Sequence, residues 1–177
     1  DNVDGIMTNV PGITLVTYHA DCLPVYLYDP AHQAIALLHA GWRGTVDNIV
    51  SAGLEKMRKA YGTRASDVIA GIGPGISAAC YETSEAVRIL FAETFTDRDM
   101  ERIFTEPHLG EDGARHWQLD LALANHLLLQ NAGVQEISDG GICTYRNAKR
   151  LFSHRAQGAK RGLNAAFLGL PEEGGAR

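Results

Sequence analysis

Residues 19–44 read HADCLPVYLYDPAHQAIALLHAGWRG, and this stretch decides the fold class. Two short apolar runs, 25–28 and 34–39, flank Asp29-Pro30-Ala31-His32, a turn signal opened by Asp with Pro next to set φ. The spacing predicts an antiparallel hairpin. Ala34-Ile35-Ala36-Leu37-Leu38 is apolar throughout, so the second strand is expected to be buried on both faces. Cys22 and His39 then fall at the two outer ends of the hairpin, where adjacent strands bring residues side by side. Strand packing alone needs neither a thiol nor an imidazole there.

Working outward, 13–19 (ITLVTYH) is β-branched and aromatic and follows Pro11-Gly12, which reads as a strand. Beyond Gly44 the period changes. Thr45 is the expected N-cap of a helix that buries Val46, Ile49, Val50, Leu54 and Met57, runs to Tyr61 and stops at Gly62. A strand over 67–73 leads into a Gly/Pro loop. Helices are predicted over 84–95 and 120–131, the second with Gly133 just past its end. Short strands are predicted at 142–145, 151–154 and 164–168. The expected class is α+β: a single domain over 1–177, with mixed β-sheets flanked by helices.

Composition narrows the function classes. At 177 residues, 45% hydrophobic and 21% charged, the chain suits one globular domain. A net charge of -5 and a pI near 5.8 argue against a nucleic-acid partner. No apolar stretch is long enough for a bilayer, so no membrane partner is expected. Cys22, Cys80 and Cys143 are odd in number and widely spaced, which suits a reducing compartment and a cytoplasmic location. The oligomeric state is left open.

Two chemistries suit Cys22 and His39: a nucleophile dyad, as in a Cys-His hydrolase or deamidase, or two zinc ligands of a site with an open position. Taken singly, either residue is as readily structural, since a free cysteine packs as a small hydrophobe. Asp21, next to Cys22, is a candidate to orient an imidazole or serve as general acid or base. Arg43, in a Gly-flanked turn entering a helix, combines a fixed cation with a helix N-terminus and points to an anion such as phosphate. Trp42 suits core packing or stacking on a planar ligand. Arg155, beside His154, is a ligand clamp or a surface ion-pair partner. His19 alternates with Thr17 and Asp21 and faces either pocket or solvent. Gly71-Ile72-Gly73-Pro74-Gly75 lacks the last glycine and the βαβ context of a dinucleotide loop. Its glycines are read as close-approach and turn positions.

Taken in order, Ala20-Asp21-Cys22-Leu23-Pro24, His39-Ala40-Gly41-Trp42-Arg43-Gly44, Gly71-Ile72-Gly73-Pro74, Cys80-Tyr81-Glu82, Cys143-Thr144-Tyr145 and Phe152-Ser153-His154-Arg155 resemble the laccase-domain, or YfiH-like, family. The resemblance covers essentially the whole chain. It implies a zinc site of one Cys and two His, with Cys22 and His39 matching two of the ligands. It also implies phosphorolysis of adenosine, inosine, guanosine and methylthioadenosine, and deamination of adenosine. The partners implied are a nucleoside and phosphate, with Arg43 and Arg155 as their binding residues. An older description of the family is copper-dependent oxidation of phenols. Seven scattered histidines, none in His-x-His, do not suit a multicopper centre. The second ligating His of the family lies in a Val-His-Gly segment upstream of the match to Val3-Asp4-Gly5. The chain is therefore expected to be the C-terminal part of a longer protein with an incomplete metal site. Around Arg161, Gly158-Ala159-Lys160-Arg161-Gly162 departs from the family's Thr-Gly-Arg order.

Overall fold

Side-chain parity along the central hairpin generates the layers. β3 (Leu23–Asp29) pairs antiparallel with β4 (Ala34–Ala40), Leu23 opposite Ala40 and Asp29 opposite Ala34. Asp29 is fully buried at the turn, where one oxygen accepts from the N–H of Ala31 at 2.9 Å and of His32 at 3.2 Å. Its other oxygen meets the His32 ring at 2.8 Å. Alternate residues of β4 enter different cores: Ala34, Ala36, Leu38 and Ala40 one, Ile35 and Leu37 the other. The strand is buried on both faces, as its unbroken apolar run predicts.

The computed structural model describes residues 3–105, 107–110 and 113–172. Three further strands, β1 (Gly5–Thr8), β5 (Ile69–Ile72) and β9 (Glu136–Asp139), complete the main sheet in the order β1-β4-β3-β5-β9. All its pairings are antiparallel except β5 with β9. One face packs on α2 (Ile49–Tyr61) and α5 (Leu121–Asn131), where Val25, Leu27 and Leu38 share a core with Leu54, Met57 and Leu128. The opposite face meets a two-stranded layer of β2 (Thr14–His19) and β10 (Asn164–Gly169), in which Leu15 and Ala166 cover Ile35 and Leu37. A small sheet of β6 (Glu82–Ser84), β7 (His108–Leu109) and β8 (Arg115–Gln118) has the order β6-β8-β7. The remaining helices are α1 (Trp42–Val46), α3 (Glu85–Phe91), α4 (Asp97–Ile103) and α6 (His154–Gln157). The result is a single α+β domain with mixed sheets. Among the described residues no helix is long and apolar enough to cross a membrane.

Several expected boundaries move, each for a local reason. The helix expected from Thr45 to Tyr61 is two helices, because Asn48 takes a left-handed φ of 52° and caps α2 by accepting from the Ser51 N–H at 3.1 Å. Gly41, not Thr45, is the N-cap of α1, and the Thr45 hydroxyl donates to the Gly41 carbonyl at 2.8 Å. The expected 84–95 helix is the shorter α3, followed by α4 with Thr96 as its cap. The predicted strand 151–154 is absent: Ser153 accepts from the Ala156 N–H at 3.2 Å and starts α6 instead. At 142–145 only one bridge forms, Gly75 with Cys143, since Asn147 turns the chain through two bonds to the Cys143 carbonyl.

Candidate functional site

Three residues, Ala20-Asp21-Cys22, join β2 to β3, and Asp21 makes the turn with a φ of 86°. Left-handed backbone is uncommon outside Gly, and Asp tolerates it better than most. The turn is held from three sides. The Thr144 hydroxyl donates to one carboxylate oxygen at 2.6 Å and the Arg155 N–H to the other at 2.7 Å. The Ile76 N–H donates to the Asp21 carbonyl at 2.9 Å. Two glycines make room for it. A Cβ on Gly75 would overlap the Leu23 side chain and lie 2.9 Å from the Asp21 carbonyl oxygen, and one on Gly41 would lie 2.9 Å from the Cys22 sulfur.

Pro24 is opposite His39 in the hairpin, and residues two apart share a face, so the elbow delivers Cys22 to the His39 side of the sheet. Both border a cavity of about 520 Å³. Asp21, Arg43 and Arg155 border it too, so all five site residues expected from the sequence meet at one place. Arg43 sits in the first turn of α1 with its guanidinium 4.3 Å from the Trp42 ring centroid. With only five residues, α1 offers no helix-terminal anion site, contrary to expectation. Attraction for an anion rests on the guanidinium. Arg155 donates from Nη1 to the Glu82 carbonyl at 3.0 Å and lies 5.2 Å from the Tyr81 ring centroid. Arg161 and His154 also line the cavity.

His19 does not face solvent. It is 2% exposed, on the inner face of β2 with Leu15, and its ring stacks on His39 at 4.7 Å and 27°. Its Nε2 lies 2.7 Å from the Thr17 hydroxyl. Burial, and then the neighbouring His39, lower its pKa to about 4. Burial also lowers that of His39, with Asp4 opposing, so both rings are neutral at pH 7. Burial pushes the Cys22 thiol up, Asp21 and Asp4 add to the rise, and Arg161 works against it. A Cys-His dyad needs the reverse, a depressed thiol. Tyr81 is pushed up to about 12, chiefly by burial, and presents a protonated phenol.

Neutral imidazole is a donor that zinc takes as it stands, and a thiol becomes one on losing its proton to the ion. Among the described residues, however, no group of three or more His, Cys, Asp or Glu is placed to hold a metal ion. Cys22 and His39 do not by themselves make a complete zinc site. Three cavity features lay beyond the sequence reading: Asp4, Tyr81 and the Thr144 tie to Asp21. The Cys-Tyr-Glu triplet marks Tyr81, whereas Asp4 enters only because β1 pairs with β4 and its carbonyl accepts from the His39 N–H at 2.7 Å.

Residues 1–171 match the family described as multi-copper polyphenol oxidoreductase laccase. The chain belongs to the laccase-domain family. It is 34% identical over 176 residues to the purine nucleoside phosphorylase YlmD of Bacillus subtilis, covering 96% of this chain and 59% of that protein. A purine nucleoside phosphorylase of Bacteroides thetaiotaomicron is 42% identical over 162 residues, 90% of this chain and 58% of that one. The crystal structure of YlmD from Geobacillus stearothermophilus superposes with a TM-score of 0.85 at 31% identity, covering 97% of this chain and 62% of the other. The crystal structure of a Bacillus licheniformis hypothetical protein, YfiH, gives the same TM-score and identity over 94% of this chain and 61% of its own. This laccase-domain chain thus spans about three-fifths of the length of these relatives.

Proposed function

We propose that the cavity is the active site of a purine nucleoside phosphorylase acting on adenosine, inosine, guanosine and methylthioadenosine. The observation that carries the reading is the meeting of Arg43 and Arg155, neither in an ion pair among the described residues, with the aromatic walls Trp42 and Tyr81 in one cavity. The names of the relatives support it. The guanidiniums hold inorganic phosphate, and the aromatic rings hold the flat purine. An oxygen of hydrogenphosphate attacks C1′ of the ribose, the bond from C1′ to the base breaks with its electron pair going to the base, and the proton that the attacking phosphate gives up ends on the leaving base. Both oxygens of Asp21 are engaged by Thr144 and the Arg155 amide, which suits positioning better than proton transfer.

Cys22 and His39 are proposed as two ligands of a zinc ion whose remaining protein ligand comes from the part of the relatives that this chain does not span. Zinc is preferred over copper, and adenosine deamination belongs to the same proposal. The three free cysteines suit a cytoplasmic location. The test is release of free base from adenosine and inosine with zinc in excess, with and without phosphate, followed by chromatography. Arg43→Ala is expected to raise the KM for phosphate more than tenfold and leave deamination much less affected. Base release that ignores phosphate would overturn the phosphorylase reading.

A further inference from the structure

Of the three free cysteines only Cys22 has a part in the proposed chemistry, and Cys80 and Cys143 have none. Both are anchored to Ser77. The Ser77 N–H donates to the Cys143 sulfur at 3.4 Å. The Ser77 carbonyl accepts from the Cys80 N–H at 2.9 Å and closes the single turn Ala78–Cys80. The two ends of such a turn lie within about 7 Å of each other, so Cys80 is held on the side of Ser77 that Cys143 occupies. The Cys80 thiol is close enough to act on the Cys143 sulfur.

Cys143 is buried but not sealed. It borders a cavity of about 320 Å³, with Ser77, Arg146, Asp120 and Asp139 also on its walls, which is ample for a small oxidant. Burial pushes the Cys143 thiol up, but its surroundings at Ser77, Arg146 and Cys80 outweigh that and hold it below its ordinary 9.0. The Ser77 hydroxyl is buried without a hydrogen-bond partner and is left to donate to the sulfur once that sulfur is charged. Thiolate character and access together select the cysteine that an oxidant attacks first. Half-buried Cys80 is the neighbour that can then resolve the product.

We propose that Cys80 and Cys143 are a modification site, a thiol pair that hydrogen peroxide closes into a reversible disulfide between two turns of the main cavity. The Cys143 thiolate attacks one peroxide oxygen. The O–O bond breaks, its electron pair leaves on the other oxygen as hydroxide, and Cys143 becomes a sulfenic acid. Cys80 gives up its proton and attacks that sulfur, the S–S bond forms, and the S–O bond breaks with the oxygen leaving as water. The two thiols lose two protons and two electrons, and the peroxide ends as two waters. A dithiol reverses the bond by exchange. In a reducing compartment the pair rests as thiols and closes only under an oxidant. The bond acts on the main cavity through the next residue of each turn. Tyr81, after Cys80, is a cavity wall, and Thr144, after Cys143, holds the Asp21 carboxylate at 2.6 Å.

The test is treatment of the 177-residue chain with hydrogen peroxide at pH 7, followed by mass spectrometry of the intact chain and of its peptides. The expected product is a monomer lighter by two hydrogens, with the Cys80 and Cys143 peptides joined and Cys22 still alkylatable. Dithiothreitol should restore the parent mass. Cys80→Ser should stop at a Cys143 sulfenic acid that dimedone traps, and Cys143→Ser should leave Cys80 a thiol. In the oxidised parent, the Tyr81 and Thr144 amides, bonded to the Ala78 and Gly75 carbonyls, should exchange about tenfold more slowly, and α2 much less so. Thiols that survive excess peroxide would overturn the proposal, as would a disulfide that uses Cys22 or links two chains. Sulfenic acid on Cys80 in Cys143→Ser would reverse the assigned roles, and unchanged exchange would remove the effect on the cavity. The peptide map of the parent chain decides the pairing even where a variant fails to fold.

Discussion

The thiol of Cys22 occupies space that exists only because residue 41 lacks a side chain. Gly41 has φ -82° and ψ 177°, a conformation open to any residue, so Gly41→Ala adds no backbone strain. The new Cβ would press on the sulfur, 2.9 Å away, and move it. The expected outcome is a melting temperature within a few degrees of the parent and a stability change under about 1 kcal/mol. Base release should nevertheless fall more than tenfold. Parental turnover in this variant would show that the position of Cys22 is immaterial. The same pair of donors sets a metal expectation, since a catalytic zinc site takes about three protein ligands. After dialysis the chain should retain well under one zinc per molecule by elemental analysis. One zinc per chain would mean that another residue completes the site. His154 at the cavity wall, or His19 turned out of its stack on His39, would be the residue to alter next.

The hairpin of β3 and β4 carries its own acid sensitivity. Burial pushes the Asp29 carboxyl up, but hydrogen bonds from the His32 ring and the His32 and Ala31 amides outweigh it and hold the carboxyl below its ordinary 3.8. Between those two values the unfolded chain binds more protons than the folded one. The contribution of Asp29 is therefore complete above the ordinary value and is lost as pH falls through the folded one. Asp29→Asn should cost about 1–3 kcal/mol at pH 7, through the weakened buried bonds, and flatten the fall in stability toward pH 3. Urea midpoints at the two pH values measure both effects, and an unchanged acid profile would assign the sensitivity elsewhere. This element was legible because an Asp-Pro turn and unbroken apolar runs speak for themselves. Elements governed by one polar side chain were not. Asn48 breaks a continuous helical stripe, Ser153 converts an expected strand into α6, and β9 has one inward apolar residue, Ile137, in a polar edge strand.

Across the molecule, β4 is the wall between two cores, and the candidate site lies where that wall ends. The hairpin pattern puts Cys22 and His39 at its two outer ends, and the Gly-flanked turn that follows puts Arg43 near them, so the three are brought together from sequence alone. The pattern does not show that β2 covers the face of β4 that carries His39, which is why the stack of His19 on His39 depends on long-range packing with no local signal. The two layers offer a direct comparison. Leu27 and Leu37 are both fully buried, Leu27 against the helices and Leu37 under β2 and β10. Replacing either with Ala should cost about 2–5 kcal/mol. The consequences should differ in place. Leu37→Ala removes contacts that hold the thin β2–β10 layer, so amide hydrogen exchange over Thr14–His19 should accelerate more than over Ile49–Tyr61. Base release should fall with it, because His39 loses the ring that fixes its plane. Leu27→Ala should accelerate exchange in α2 at least as much as in β2. Equal acceleration at every amide in both variants would show one cooperative unit and remove the β2 layer as a separate support of the site.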